Sequence, residues 1–174
     1  MPDQASATLS NEELTKLATL AIEAKSKAYY TPVNDFATNT GPYSNFRVGA
    51  SVILTDGTYH TGANVEIAAT PVGICAERCA IAPIIASVPR PEMPVILAIA
   101  VATDISPPAS PCGMCRQFIN EFATSKDLPI YMYGKEGLKG KPVVMTIGEL
   151  LPMSFGPNDM EKNPGSVPWK GQAS

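Results

Sequence analysis

Three of the chain's four cysteines fall in two short stretches, Cys75-Ala76-Glu77-Arg78 and Pro111-Cys112-Gly113-Met114-Cys115. Thiolates bind soft and borderline metals. The C-x-x-C spacing lets Cys112 and Cys115 reach one ion from a single helical turn, and Cys75 supplies a third ligand. A catalytic zinc keeps its fourth position open for water. Glu77, two residues from a thiol, is then a candidate general acid/base beside the metal. Three thiolates overcompensate the charge of Zn²⁺, which opposes ionising a water held there. Arg78 paired with a thiolate, and the positive ends of two helices, would drain that excess.

Two competing readings use the same residues. Cys79 lies one helical turn after Cys75 on the same face, so a closed four-thiolate structural site is open. Glu77 is a residue that such a site does not need. Alternatively, Cys112 and Cys115 form a thiol-redox pair that works without metal. The lone histidine, His60, has no second histidine to join it and reads as an exposed strand residue rather than a ligand.

The elements that must position these residues follow from periodicity and punctuation. Ser10-Asn11-Glu12-Glu13 is a capping box, and Leu14, Leu17, Ala18, Ala21 and Ile22 continue at helical spacing, which predicts a helix over 11–28. Residues 30–43 are rich in turn formers and predict a long loop. Strands are predicted over 46–54 and 59–65, joined by an Asp56-Gly57 hairpin turn. A helix over 75–87 follows, in which Pro83 predicts a kink or an early end. The continuous apolar run 95–102 reads as a strand buried on both faces. A proline-rich loop over 104–111 leads to a second cysteine-headed helix over 112–123. Two strands, 129–133 and 142–146, are joined by a link too short for a helical crossover, so they should be antiparallel. A helical turn over 147–151 precedes an extended or mobile tail. The order predicts an α/β fold, a five-stranded mixed sheet with helices packed on it. Both cysteine stretches open helices at one end of that sheet.

The chain has 174 residues, 45% of them apolar, and a formal net charge of −3. The length fits one domain, expected over 1–157 with its core at 42–155 and a tail over 158–174. A polynucleotide binder normally carries a basic footprint, which is missing here. Residues 1–10 lack the apolar stretch of a secretory leader. No apolar run reaches the roughly 20 residues of a membrane span. The expected compartment is the cytoplasm, where reduced thiols suit metal binding better than disulfides.

The motifs resemble those of the zinc cytidine deaminases, whose signature joins a three-cysteine zinc site, a non-ligand glutamate and P-C-x-x-C. More narrowly, the chain resembles the short homotetrameric enzymes of nucleoside salvage. The likeness runs through Pro42-Tyr43-Ser44-Asn45-Phe46, Val48-Gly49-Ala50, Gly62-Ala63-Asn64-Val65-Glu66 and Gly73-Ile74-Cys75-Ala76-Glu77-Arg78. It continues through Ser110-Pro111-Cys112-Gly113-Met114-Cys115-Arg116-Gln117 and closes at Glu149-Leu150-Leu151-Pro152-Met153-Ser154-Phe155-Gly156-Pro157.

The resemblance implies the three-layer fold of that family, with helices on both faces of the sheet. It implies hydrolytic deamination of cytidine and 2′-deoxycytidine to uridine and 2′-deoxyuridine. It implies one zinc per subunit, held by Cys75, Cys112 and Cys115 with water or hydroxide as fourth ligand, and Glu77 as proton shuttle during attack at C4. Asn64 and Glu66 match the pair that holds the ribose. Phe46 and Ala76 match residues lining the substrate pocket. Phe155 matches an aromatic that reaches the base from a neighbouring subunit, so the implied partners are a nucleoside and further copies of the chain in a homotetramer. The family's polynucleotide deaminases insert a helix between the last two strands, and the short link here sets the chain apart from them. Glu66 sets it apart from blasticidin deaminases, leaving another small aminopyrimidine as the alternative substrate class. The loop over 31–41, Arg47, Ile67 and Thr70 depart from the common pattern.

Overall fold

A computed structural model describes residues 9–29, 43–89, 92–157 and 159. The predicted loop over 31–41 and the tail beyond 157, apart from Asp159, lie outside them.

The chain opens with helix α1, Asn11–Lys25, whose N-terminus carries the predicted capping box between Ser10 and Glu13. The helix stops earlier than its apolar period suggested. The Ser26 hydroxyl takes the carbonyl of Glu23 at 2.6 Å, and turns follow to residue 28. Strands β1 (Val48–Leu54) and β2 (Tyr59–Ala63) form the expected hairpin, paired from Gly49 opposite Ala63 to Ile53 opposite Tyr59. Helix α2 is Ala76–Ser87, strand β3 is Ile96–Thr103 and helix α3 is Gly113–Phe122. Strands β4 (Pro129–Tyr133) and β5 (Val143–Thr146) and the short helix α4 (Ile147–Leu150) complete the described elements.

The sheet order is β2-β1-β3-β4-β5. Strands β3 and β4 run parallel, with α3 in the connection between them, and the other neighbours are antiparallel, including β4 and β5. The sheet is mixed, as expected, and buries two cores. On one face Ala50, Val52, Ile99 and Val101 pack against Ala80, Ile81 and Ile84 of α2 and Ile119 of α3. On the other, Ile53 and the alternating Ala98, Ala100 and Ala102 meet Leu17, Ala18 and Ala21 of α1. The alanine face of β3 leaves room for α1 to lie close. A Cβ at Gly49 would come within 2.1 Å of the Ala21 carbonyl oxygen, so only glycine allows that approach.

Pro83 does not end α2, which continues to Ser87. Proline removes one helical hydrogen bond and crowds the preceding turn. Ala80 and Ile81 before it and Ile84 after it are all buried in one core, which anchors the helix on both sides of the proline. A second close approach fixes the other end of this helix. A Cβ at Gly62 of β2 would stand 2.5 Å from the Ala76 carbonyl oxygen and 2.4 Å from the Ala80 nitrogen. Residues 66–73 contain a 3₁₀ turn at Thr70–Val72, and a bridge between Val65 and Ile74 closes this segment and leads the chain into Cys75.

Candidate active site

Cys75 and Cys112 are the N-cap residues of α2 and α3. Both have extended backbone and neither side chain caps its helix, so both thiols are left to point away from the backbone. Cys115 sits in the first turn of α3 and is fully buried. The three Sγ atoms lie within 4.8 Å of one another. Cys79 is not part of this group, although it follows Cys75 by one turn. Burial raises its pKa, as expected for a thiol packed in a helix interface.

Tetrahedral zinc, with Zn–S bonds of about 2.3 Å, spaces two sulfurs about 3.8 Å apart. Cys75 Sγ and Cys112 Sγ are 3.8 Å apart. The donor set therefore fits zinc without rearrangement of this pair. The Arg78 guanidinium adds a second mark of an anionic centre. Its Nη2 donates to Cys75 Sγ at 3.9 Å and to the Gly73 carbonyl at 3.4 Å, while its buried Nε has no partner. The Cys75 thiol is pulled down to about 5, chiefly by a hydrogen bond with Cys115 and with help from Arg78, and Cys115 is raised in turn.

Glu77 follows in the first turn of α2 and is 3% exposed. Burial pushes its carboxyl up, and hydrogen bonds from its own backbone and from Cys115 offset only part of that. A carboxyl this deeply buried needs a reason, and a thiol cluster fit to hold a metal beside it supplies one. Ala76, between Cys75 and Glu77, is fully buried, with its carbonyl facing Gly62.

Asn64, Glu66 and Phe46 come together beside the start of β1. The Asn64 side chain accepts from the Val48 N–H at 2.8 Å and donates to the Phe46 carbonyl at 3.0 Å. Glu66 accepts from the backbone N–H groups of Tyr43 at 2.9 Å and Ser44 at 3.2 Å, and from the Ser44 hydroxyl. Burial alone would raise its pKa, but these donors hold it below the usual carboxylate range. Asn45, between Ser44 and Phe46, takes the left-handed φ of 56° that asparagine tolerates. Phe155 has no hydrogen bond to this group among the described residues, and it is 63% exposed.

Sequence reasoning missed the residues that hold the ligand loops. Arg116 Nε donates to the Pro111 carbonyl at 2.7 Å, Nη2 to the Ser110 hydroxyl at 2.7 Å, and Nη1 to the Leu150 carbonyl at 2.9 Å. One guanidinium thus ties the approach to Cys112 to the end of α4. Asp104 was also missed. It accepts Arg47 through both Nε (2.9 Å) and Nη2 (3.1 Å), the Arg47 N–H (3.1 Å) and the Lys25 ammonium (3.0 Å).

The family described as "Cytidine and deoxycytidylate deaminase zinc-binding region" matches residues 12–132. A cytidine deaminase of Sporosarcina psychrophila is 39% identical over 119 residues, covering 68% of this chain and 82% of that protein. One of Halalkalibacterium halodurans is 36% identical over 140 residues, covering 80% of this chain and 92% of that protein. Among solved structures, a crystal structure of cytidine deaminase from Burkholderia pseudomallei superposes with a TM-score of 0.67 at 33% identity. It covers 84% of this chain and 100% of that one. A family match over more than half of the sequence, with relatives this similar along most of their own length, places the chain among the enzymes of the cytidine deaminase family.

Proposed function

We propose that the chain hydrolyses cytidine and 2′-deoxycytidine to uridine and 2′-deoxyuridine with release of ammonia, as a salvage enzyme of the cytoplasm. The observation that carries this reading is the buried Glu77 beside three converging thiols, at the positive ends of two helices.

Cys75, Cys112 and Cys115 would hold one zinc per chain. Bound there, the metal supplies Lewis acidity and a fourth position for water. Glu77 takes the proton lost as water adds to C4 of the ring and delivers it to N3; it then takes the proton of the new C4 hydroxyl and gives it to the amine as the C4–N bond breaks. Burial lifts its pKa toward the range in which a carrier both accepts and gives. Arg78 balances the thiolates through Cys75. Asn64 and Glu66 hold the sugar. A carboxylate has about four lone-pair directions, and Tyr43 and Ser44 use three donors on Glu66. That leaves one for a ribose hydroxyl, beside the second N–H of the Asn64 amide, which has no partner among the described residues. Phe46 and Ala76 line the base pocket. Phe155 covers the base of a neighbouring copy in a homotetramer, which fits its exposed ring.

The test is an ammonia-release assay on purified, zinc-loaded protein. The parent should deaminate cytidine. Glu77→Ala should lose at least about 100-fold in kcat and keep its zinc. Cys75→Ala, Cys112→Ala and Cys115→Ala should lose the metal, and Cys79→Ala should not. Turnover by Glu77→Ala at the parent rate would sink the mechanism. Zinc loss in Cys79→Ala would favour the four-thiolate structural site. A metal-free, dithiol-dependent redox activity would favour the thiol-redox reading.

A further inference from the structure

We propose that Gln117, Asn120 and Lys126 are positioning residues that set Phe155 in place for the substrate. The proposal rests on the reading of Phe155 as the aromatic that covers the base.

The segment after α4 is held by its backbone while its large side chains face outward. The Phe155 carbonyl accepts from Gln117 Nε2 at 2.7 Å and from Asn120 Nδ2 at 3.3 Å. One residue earlier, the Ser154 hydroxyl accepts from the Lys126 ammonium and donates to Asn120 Oδ1 at 3.1 Å. Lys126 also donates to Asn120 Oδ1. One residue later, a Cβ at Gly156 would lie 3.0 Å from Asn120 Nδ2, so the backbone comes close to that amide. Three consecutive residues are therefore referenced to one side chain. Met153, just before them, has a φ of 52°, a left-handed conformation that L residues rarely adopt.

Asn120 is only 6% exposed. A buried amide is costly unless its hydrogen bonds are made, and among the described residues this one bonds Lys126, Ser154 and Phe155. An apolar side chain could fill the same space on α3 without fixing the segment. Against this polar bed Phe155 is 63% exposed while its carbonyl is taken up by two amides. A rigid backbone under an exposed aromatic ring lowers the ordering cost of inserting that ring into a pocket.

The helix that holds the clamp is also the helix that holds the metal ligands. Cys112 caps α3, Cys115 lies in its first turn, and Gln117 and Asn120 follow. Arg116 joins the two ends of the arrangement, reaching Pro111 on one side and Leu150 on the other. The position of Phe155 is thus tied to the thiols through one ten-residue helix, rather than left to a loop.

The experiment is steady-state cytidine kinetics on the zinc-loaded enzyme, with zinc content and thermal midpoint measured on each variant. Gln117 is exposed, so Gln117→Ala removes the shortest bond to Phe155 with little risk to folding. Losing one such bond should raise KM about 5-fold. Because the chemistry is untouched, kcat should change less than about twofold, with zinc unchanged. Asn120→Ala should raise KM further. In a Phe155→Ala background, neither change should raise KM again, because residues that act through Phe155 are not additive with its removal. If Phe155→Ala raises KM but Gln117→Ala and Asn120→Ala do not, the clamp is overturned while the reading of Phe155 stands. KM increases that add in the double variants overturn it as well. If Phe155→Ala itself leaves KM unchanged, the reading of Phe155 fails and the clamp loses its function with it.

Discussion

Glu66 commits most of its carboxylate to its own chain, and this makes it a sharp probe of the sugar site. Tyr43, Ser44 and the proposed ribose hydroxyl all need an acceptor. In Glu66→Gln one oxygen becomes an NH₂ group facing those donors. A hydrogen bond to a charged group is worth about 1.5–3 kcal/mol, so KM for cytidine should rise at least about 10-fold. Zinc content should not change. Loss of zinc in this variant would put Glu66 in the metal shell and break its assignment to the sugar. The convergence of Cys75, Cys112 and Cys115 was legible from residue types and spacing, whereas Glu66 came forward only through the family motif. The sequence hid Arg116 and Asn120, whose partners include the Leu150 and Phe155 backbone carbonyls. A side chain that bonds a distant backbone carbonyl leaves no mark in residue types or periods.

Between elements, the corresponding case is Asp104. Through it the end of α1 (Lys25), the entry to β1 (Arg47) and the end of β3 are joined, next to Phe46 and Asn64. Lys25 and Asp104 are only 12% and 23% exposed, so salt screens them less than a surface pair. Burial alone would raise the Asp104 pKa, but the hydrogen bonds from Arg47 and Lys25 outweigh it and hold the group below the usual carboxylate range. The unfolded chain, with an aspartate pKa of about 3.9, then binds more protons than the native chain between the two pKa values, and stability rises with pH there. The contribution is complete above the unfolded pKa and is lost as pH falls through the native one. Urea midpoints followed downward from pH 6 should fall more steeply in the parent than in Asp104→Asn. Parallel curves would show that the cluster adds nothing to folding. The role of Arg47 in this cluster was hidden because Lys25, Arg47 and Asp104 are far apart in sequence. Element order and strand direction were legible, because the short 134–141 link and the apolar 95–102 run each admit few topologies. The end of α1 and the passage of α2 through Pro83 were not, since a serine side chain decides the first and burial on both sides of the proline decides the second.

At the scale of the whole molecule, the described chain leaves large apolar side chains uncovered on the segments that carry its cysteine cluster. Met114, between Cys112 and Cys115, is 65% exposed, and Phe155, on the segment clamped to the same helix, is 63% exposed. Val72 and Ile74, which lead into Cys75, are exposed as well. Apolar surface of this kind is where subunits meet. A site shared between copies makes a prediction that no single-chain site does. Glu77→Gln chains keep Phe155 but lack the proton carrier. Phe155→Ala chains keep Glu77 but lack the aromatic. Each variant alone should turn over cytidine poorly at substrate concentrations below the parent KM. After the two are denatured together and refolded with zinc, mixed assemblies should contain sites with Glu77 from one chain and Phe155 from its neighbour. Activity per chain should then exceed the average of the two variants refolded separately, and the gain should disappear on dilution below the concentration at which the assembly dissociates. Sedimentation at the assay concentration supplies the assembly size. Activity equal to the plain average, in a sample that sedimentation shows to be fully mixed oligomer, would mean that each chain builds its own site. Phe155 would then have to be reassigned to the pocket of the chain that carries it.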